Sequence, residues 1–300
     1  MTVDVAAARD FVTTHARLLD RRRLQQAAGR ADAAAVLAAL DAYRNDDGGY
    51  GWGLEPELRT PGSQPLHALH AFEVLEECGP TSGSRAVELC EWLATIAFDD
   101  GGLPFVLPIA ETAGCAPWFT DADPTTPSFH GTAAVVGAAL RMARRDSVVA
   151  SHPWLARAVD WCLDAIAALE RPHAYETMFA LRLLDALAPD DPLAADDLAR
   201  VAATLPPSGA LPVEGGIEGE MLRPLDYSPD PGTPLRAQLD PAIVEADLDR
   251  LAGLQQADGG WAVDFASFSP AAALEWRGIA TVRALTVLHA NSRVGLGHVR

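Results

Sequence analysis

The chain has 300 residues, 49% of them hydrophobic, and 41 acidic against 23 basic side chains give a formal net charge of -18. That balance excludes nucleic acid and anionic membrane surfaces as natural partners, because phosphate binding needs a positive footprint. The chain contains no lysine, which removes a P-loop ammonium and a lysine Schiff base.

Four scattered cysteines, Cys78, Cys90, Cys115 and Cys162, contain no Cys-x-x-Cys pair, so neither a disulfide framework nor a four-cysteine zinc site is expected. No stretch of 18 uncharged apolar residues exists, and residues 1 to 10 lack a secretory apolar core. A soluble cytoplasmic protein with no stable membrane span is the expectation. Nothing resembling a linker divides the sequence, which reads as one domain over residues 1–300.

Apolar residues recur at three- and four-residue spacing rather than alternating, so the elements read as helices and no strand is expected. In chain order they run about Val3 to Ala28, Asp32 to Arg44, Ser63 to Cys78, Ser82 to Phe98 and Ser128 to Arg145. Pro153 to Glu170, Pro172 to Leu187, Leu193 to Thr204, Pro241 to Gln256 and Ala273 to Ala290 follow. The first, over residues 1–28, stands outside the repeat.

Punctuation between helices is regular. Asp47-Gly48-Gly49-Tyr50, Asp100-Gly101-Gly102-Leu103 and Asp258-Gly259-Gly260-Trp261 share one pattern, with a degenerate copy at Ser208-Gly209-Ala210-Leu211. The Asp accepts backbone hydrogen bonds and the glycines supply positive φ after a helix has ended. Short and long connections alternate, the long ones being 45–62, 99–127, 205–240 and 257–272. In an antiparallel helix array such loops share one end, and repeat proteins carry their binding residues there. Five or six repeated helical hairpins predict an all-α, α/α toroid, with an open solenoid as the alternative. The stretch 205–240 is rich in Pro and Gly, so a loop or a short helix replaces one expected inner helix.

The segment Leu254-Gln255-Gln256-Ala257-Asp258-Gly259-Gly260-Trp261 resembles the Gln-Trp motif of the terpenoid (squalene) cyclase and protein prenyltransferase superfamily. The resemblance implies a toroid of helices whose cavity takes an isoprenoid-like apolar small molecule, without a cofactor for the cyclising members. Those members start by protonation from an Asp-x-Asp-Asp motif, and Asp121-Ala122-Asp123-Pro124-Thr125-Thr126 looks like a distorted version. By that likeness Asp123 is the proton donor and Asp121 its modulator; as plain sequence, Asp-Pro before a helix is also a turn. The zinc-holding transferring members need an Asp two residues before a Cys, and Ala113 stands there before Cys115, so no metal is expected. His67 and His70, three apart on one helix, read as one buried and one exposed histidine.

The loop end collects the substrate-binding candidates. Trp52, Trp118, Phe119, His130, Tyr175, Tyr227, Trp261 and Trp276 offer ring faces for a carbocation or a sugar. Glu55, Glu57 and Arg59 lie in one loop, and Asp264 in another. Two further functions therefore stand beside the cyclase: a carbohydrate-active α/α barrel using two of Glu55, Asp121, Glu176 and Asp264, and a non-catalytic binding module.

Overall fold

The computed structural model describes residues 2–297; Met1 and residues 298–300, the extremes of the expected domain, lie outside them. The described residues are mostly helical. In chain order the helices are α1 Val5–His15, α2 Leu18–Ala27, α3 Ala33–Leu40, α4 Pro65–Cys78, α5 Arg85–Ile96, α6 Pro117–Thr120 and α7 Phe129–Ala143. Then come α8 Ser147–Ala150, α9 Pro153–Ala168, α10 Ala174–Leu187, α11 Pro192–Ala202, α12 Pro224–Tyr227, α13 Pro234–Gln238, α14 Pro241–Gly253 and α15 Pro270–Ala290.

Two details differ from expectation. The helix expected over residues 1–28 is two helices, because Ala16 and Arg17 are extended, with ψ of 160° and 155°. The break lets both α1 and α2 pack on α15, where Ala16 fits against Gly278, whose added Cβ would come within 2.8 Å of the Ala16 Cβ. Tertiary packing overrides helix propensity there. Second, a two-residue antiparallel pair joins Leu211–Pro212 to Met221–Leu222 where no strand was expected. As expected, the Pro- and Gly-rich stretch carries only short helices, α12 and α13, in place of a long one. Polar side chains hold these in place: Asp185 Oδ1 accepts from the Leu235 N–H at 2.6 Å, and the Arg283 guanidinium donates to Leu225 O at 3.0 Å.

The chain forms two compact units. One is Ala33–Pro172; the other joins the N-terminal 32 residues to the stretch from His173 onward. In the Ala33–Pro172 unit, α4 lies along α7, with α3 against α4 and α9 against α7. Small residues explain the close fit. Gly131, Ala133, Ala134, Gly137, Ala138 and Ala139 are all buried on α7, leaving room for a neighbouring backbone. In the second unit α10 packs on α11, and α15 on α1, α2 and α14.

The three Asp-Gly-Gly copies adopt one geometry. The first glycine has positive φ in each, 86° at Gly48, 103° at Gly101 and 90° at Gly259. The Asp Oδ1 accepts from the N–H of the second glycine at 2.9, 3.0 and 3.2 Å. Each turn then docks on a helix by a common rule. A Cβ on the first glycine would meet the backbone oxygen of Glu88, Arg157 or Ala7; one on the second would meet the ring of Trp92, Trp161 or Phe11. The ring stands four residues after the oxygen every time, one helical turn along α5, α9 or α1. Ser208 repeats the pattern in weaker form, its hydroxyl accepting from the Ala210 N–H at 3.3 Å beside Gly209 at φ 67°. These triplets are docking joints, as their turn chemistry predicts.

Candidate functional site

Loop 44–64 carries the greatest density of buried polar groups in the Ala33–Pro172 unit. Glu55, Glu57, Thr60, Ser63, Gln64 and His67 are all buried. A histidine closes the loop. His67, on the first turn of α4, places Nδ1 3.0 Å from Tyr50 O and Nε2 2.9 Å from Leu58 O. Burial pushes its imidazolium down to about 4, so the ring is neutral at neutral pH and donates one hydrogen bond. Tyr50 O already accepts from the Gln64 N–H at 3.0 Å, whereas Leu58 O has no other donor among the described residues. The proton therefore belongs on Nε2, directed at Leu58.

One turn further along α4, His70 meets carboxylates at both ring nitrogens. Nε2 lies 2.8 Å from Glu55 Oε2, and Nδ1 lies 3.2 Å from Glu73 Oε2. Burial alone would lower the His70 pKa, but hydrogen bonds to Glu55 and Glu73, with their negative charges, outweigh it and push it up to about 9. His70 is therefore an imidazolium at neutral pH. Glu55 is fixed from its other side, since its Oε1 accepts from the Glu57 N–H at 3.1 Å. The resulting group of two carboxylates and one imidazolium carries one net negative charge.

An apolar cluster adjoins it. Leu58, Leu66, Val106, Cys115, Ala116 and Phe119 are buried together, with Phe105, Ile109 and Ala122 packed against them. The connections to the charged group are short ones. The Leu58 N–H donates to Glu55 O at 3.0 Å, and Leu66 precedes His70 by one turn of α4. The two long loops are stitched together here: Leu58 bridges Cys115, the Ala116 N–H donates to Glu57 O at 2.8 Å, and the Gln64 amide bonds Leu107 through both its oxygen and its nitrogen. Phe105 stacks on Phe119 with centroids 5.4 Å apart and tilts against His130 at 5.3 Å.

The expected candidates fall into two groups. Glu55, Phe119 and His130 belong to this charged and apolar assembly. Glu57 adds a buried carboxylate beside it, and the Arg59 side chain runs past Gly53 and Gly114 at the seam of the two loops. Trp52 and Trp118 lie in the same loops and are exposed. Tyr175, Tyr227, Trp261, Asp264 and Trp276 belong to the other unit. There Tyr227 donates its hydroxyl to Gly209 O at 2.5 Å, and Trp261 donates Nε1–H to Leu251 O at 2.8 Å; both are buried braces of the fold. Tyr175 bonds Glu220 at 3.1 Å, Asp264 faces Arg223 at 3.7 Å, and Trp276 meets Phe265 edge-on at 5.1 Å. Glu176 accepts from the His173 N–H at 2.8 Å as part of a capping box.

The surroundings of Asp121 and Asp123 are those of an exposed turn. Asp121 and Asp123 are both exposed. Hydrogen bonds from the Thr125 hydroxyl at 2.6 Å and its N–H at 2.8 Å hold the Asp123 carboxyl below the usual carboxylate range. It closes an Asx turn ahead of α7. The signal for the better candidate lay in Glu73, three residues after His70 on one helix face; Glu55, from a loop, had no such local signal.

Among the described residues no group of three or more His, Cys, Asp or Glu is arranged to hold a metal ion, and no helix is long and apolar enough to cross a membrane. No family model matches the chain, and no curated protein matches it either. In fold the chain is similar to a protein from Actinoplanes known by crystal structure, with a TM-score of 0.54 and 20% identity over 94% of this chain and 90% of the other. At that identity the likeness bears on the fold alone.

Proposed function

We propose that the protein is an α/α-toroid enzyme of the terpenoid cyclase and prenyltransferase kind, which takes an isoprenoid-like apolar molecule at the loop end of the Ala33–Pro172 unit and stabilises positive charge developing on it. The observation that carries this reading is the Glu55–His70–Glu73 group, with contacts of 2.8 and 3.2 Å, set beside the cluster of Leu58, Leu66, Phe105 and Phe119. A net negative charge partly shielded from water, with Glu55 buried and His70 and Glu73 half-buried, lowers the energy of a nearby cation more than it would in bulk solvent. Aromatic faces at Phe105 and Phe119 act in the same direction.

The reading assigns this group to holding the cation, not to starting the reaction. An imidazolium at about 9 is too weak an acid to protonate an alkene. The carbohydrate-active alternative needs two of Glu55, Asp121, Glu176 and Asp264 free to act across a groove, while Glu55 engages His70, Glu176 closes a capping box and Asp264 faces Arg223. Extraction of the purified protein with organic solvent, followed by mass spectrometry, tests the proposal. A polyprenyl species at near-stoichiometric yield supports it. No small molecule in the extract, together with no change in tryptophan fluorescence on adding farnesol or geranylgeraniol, contradicts it.

A further inference from the structure

The turn Gly51–Leu54 carries a residue that its backbone disfavours. The Leu54 N–H donates to Gly51 O at 3.1 Å, and both central residues have positive φ, 58° at Trp52 and 73° at Gly53. That is the sign pattern of a type I′ turn, in which Asn-Gly is favoured because few side chains enter the left-handed region cheaply. A bulky aromatic there is an outlier. Only Ser292 shares positive φ with Trp52 among the described non-glycine residues.

Core packing does not compensate for the strain, since Trp52 is 56% exposed. Hydrogen bonds hold it instead. Its N–H donates to Thr60 O at 2.8 Å, and its indole Nε1–H donates to Asn45 Oδ1 at 2.8 Å. Asn45 is itself anchored through Nδ2 to Pro61 O at 3.0 Å and Ser63 Oγ at 2.9 Å. Gly51 packs its backbone against Pro61, where an added Cβ would lie 2.1 Å from Pro61 O. The indole is thus fixed by its edge with its surface turned to solvent. Strained residues that the surrounding structure over-determines are concentrated where a ligand is held.

We infer that Trp52 is a stacking platform for a sugar ring. The groups around it mix acceptors and donors: exposed Asp46 and Asp47 follow Asn45 in sequence, and the Arg59 guanidinium carbon lies 3.8 Å from the Cβ position of Gly53. Carboxylates accept from sugar hydroxyls and a guanidinium donates to them, although Asp47 Oδ1 already accepts from the Gly49 N–H and Ser63 Oγ, while one indole presents the flat apolar face that a pyranose covers. An organic cation would call for several converging ring faces. A nucleotide is disfavoured by the carboxylates. Trp52 stands in the same loop as Glu55, but its stacking role does not rest on the charged group at Glu55 and His70.

Saturation-transfer NMR with maltohexaose, cellohexaose, chitohexaose and mannohexaose, on the wild type and on Trp52→Asn and Trp52→Phe, tests the inference. At least one oligosaccharide binds the wild type. Trp52→Asn weakens it by about tenfold or more, the scale of one lost stacking contact, while Trp52→Phe keeps most of the affinity. Asn-Gly is the preferred type I′ pair, so Trp52→Asn melts at an unchanged or higher temperature. Three results overturn the inference: none of the four oligosaccharides binds, binding survives Trp52→Asn, or Trp52→Asn lowers the melting temperature and so marks Trp52 as a packing residue.

Discussion

Glu55 Oε2 lies 2.8 Å from His70 Nε2, joining a buried loop carboxylate to the third helical residue after His67 on α4. The same ring is held from behind by Glu73 at 3.2 Å. With two acceptors and no room for a neutral tautomer to satisfy both, the imidazolium form follows from geometry as well as from charge.

Removing one carboxylate should therefore release the proton. Glu55→Gln is expected to bring the His70 pKa down from about 9 towards the ordinary histidine value, and Glu73→Gln to lower it less, because that contact is longer and its carboxylate more exposed. Nitrogen-15 NMR titration of the ring reads both shifts. An unchanged midpoint in Glu55→Gln would remove the pair from the account.

The two histidines load stability on opposite sides of neutrality. His70 is raised on folding from 6.5 to about 9, so its contribution is complete below the unfolded value and is lost as pH rises through about 9. His67 is lowered from 6.5 to about 4, so its contribution is complete above the unfolded value and is lost as pH falls towards about 4. Urea midpoints measured across pH should fall at both ends. Glu55→Gln should flatten the alkaline limb and, because the Glu55 charge also raises the His67 pKa, extend the acid limb to lower pH.

His67→Ala should be severe for a single residue. It opens a cavity and strips the Leu58 carbonyl of its donor, and a cost of about 3 kcal/mol combines an unsatisfied buried acceptor with lost packing. In the wild type, NMR of the neutral ring should show the Nε2–H tautomer. An Nδ1–H tautomer would reverse the hydrogen-bond assignment at Tyr50 and Leu58.

The docking joints predict a contrast between glycines of similar φ. Gly101→Ala places a Cβ 2.7 Å from Arg157 O at φ 103°, whereas Gly215 has φ 76° and nothing within 4 Å of the Cβ position. Gly215→Ala should cost about 1 kcal/mol, from φ alone. Gly101→Ala should cost roughly 3 kcal/mol or more, because backbone must move as well. Equal costs by chemical denaturation would mean that the joint does not dock on α9.

What was legible in the sequence follows the range of the interactions. The helices and their long connections could be read because spacing and turn chemistry act within a few residues: Asp47, Asp100 and Asp258 each accept from a glycine two positions on. The break at Ala16 was not legible, since its cause is Gly278. The charged group was half legible. Glu73 stands one turn from His70, but Glu55 reaches it across a loop whose path depends on His67 gripping Tyr50 and Leu58. Asp123 shows the converse hazard, a motif-like string that is fully explained by its own Thr125.

The most direct test of the proposed function measures charge preference. Isothermal titration should compare a tertiary amine carrying a geranyl chain, protonated at neutral pH, with its neutral carbon isostere, in the wild type and in Glu55→Gln. The account predicts that the wild type binds the amine tighter by about tenfold or more, equivalent to about 1.4 kcal/mol, and that Glu55→Gln abolishes the preference while still binding the neutral chain. Equal affinities of the wild type for the two compounds, or a preference that persists in Glu55→Gln, would contradict it.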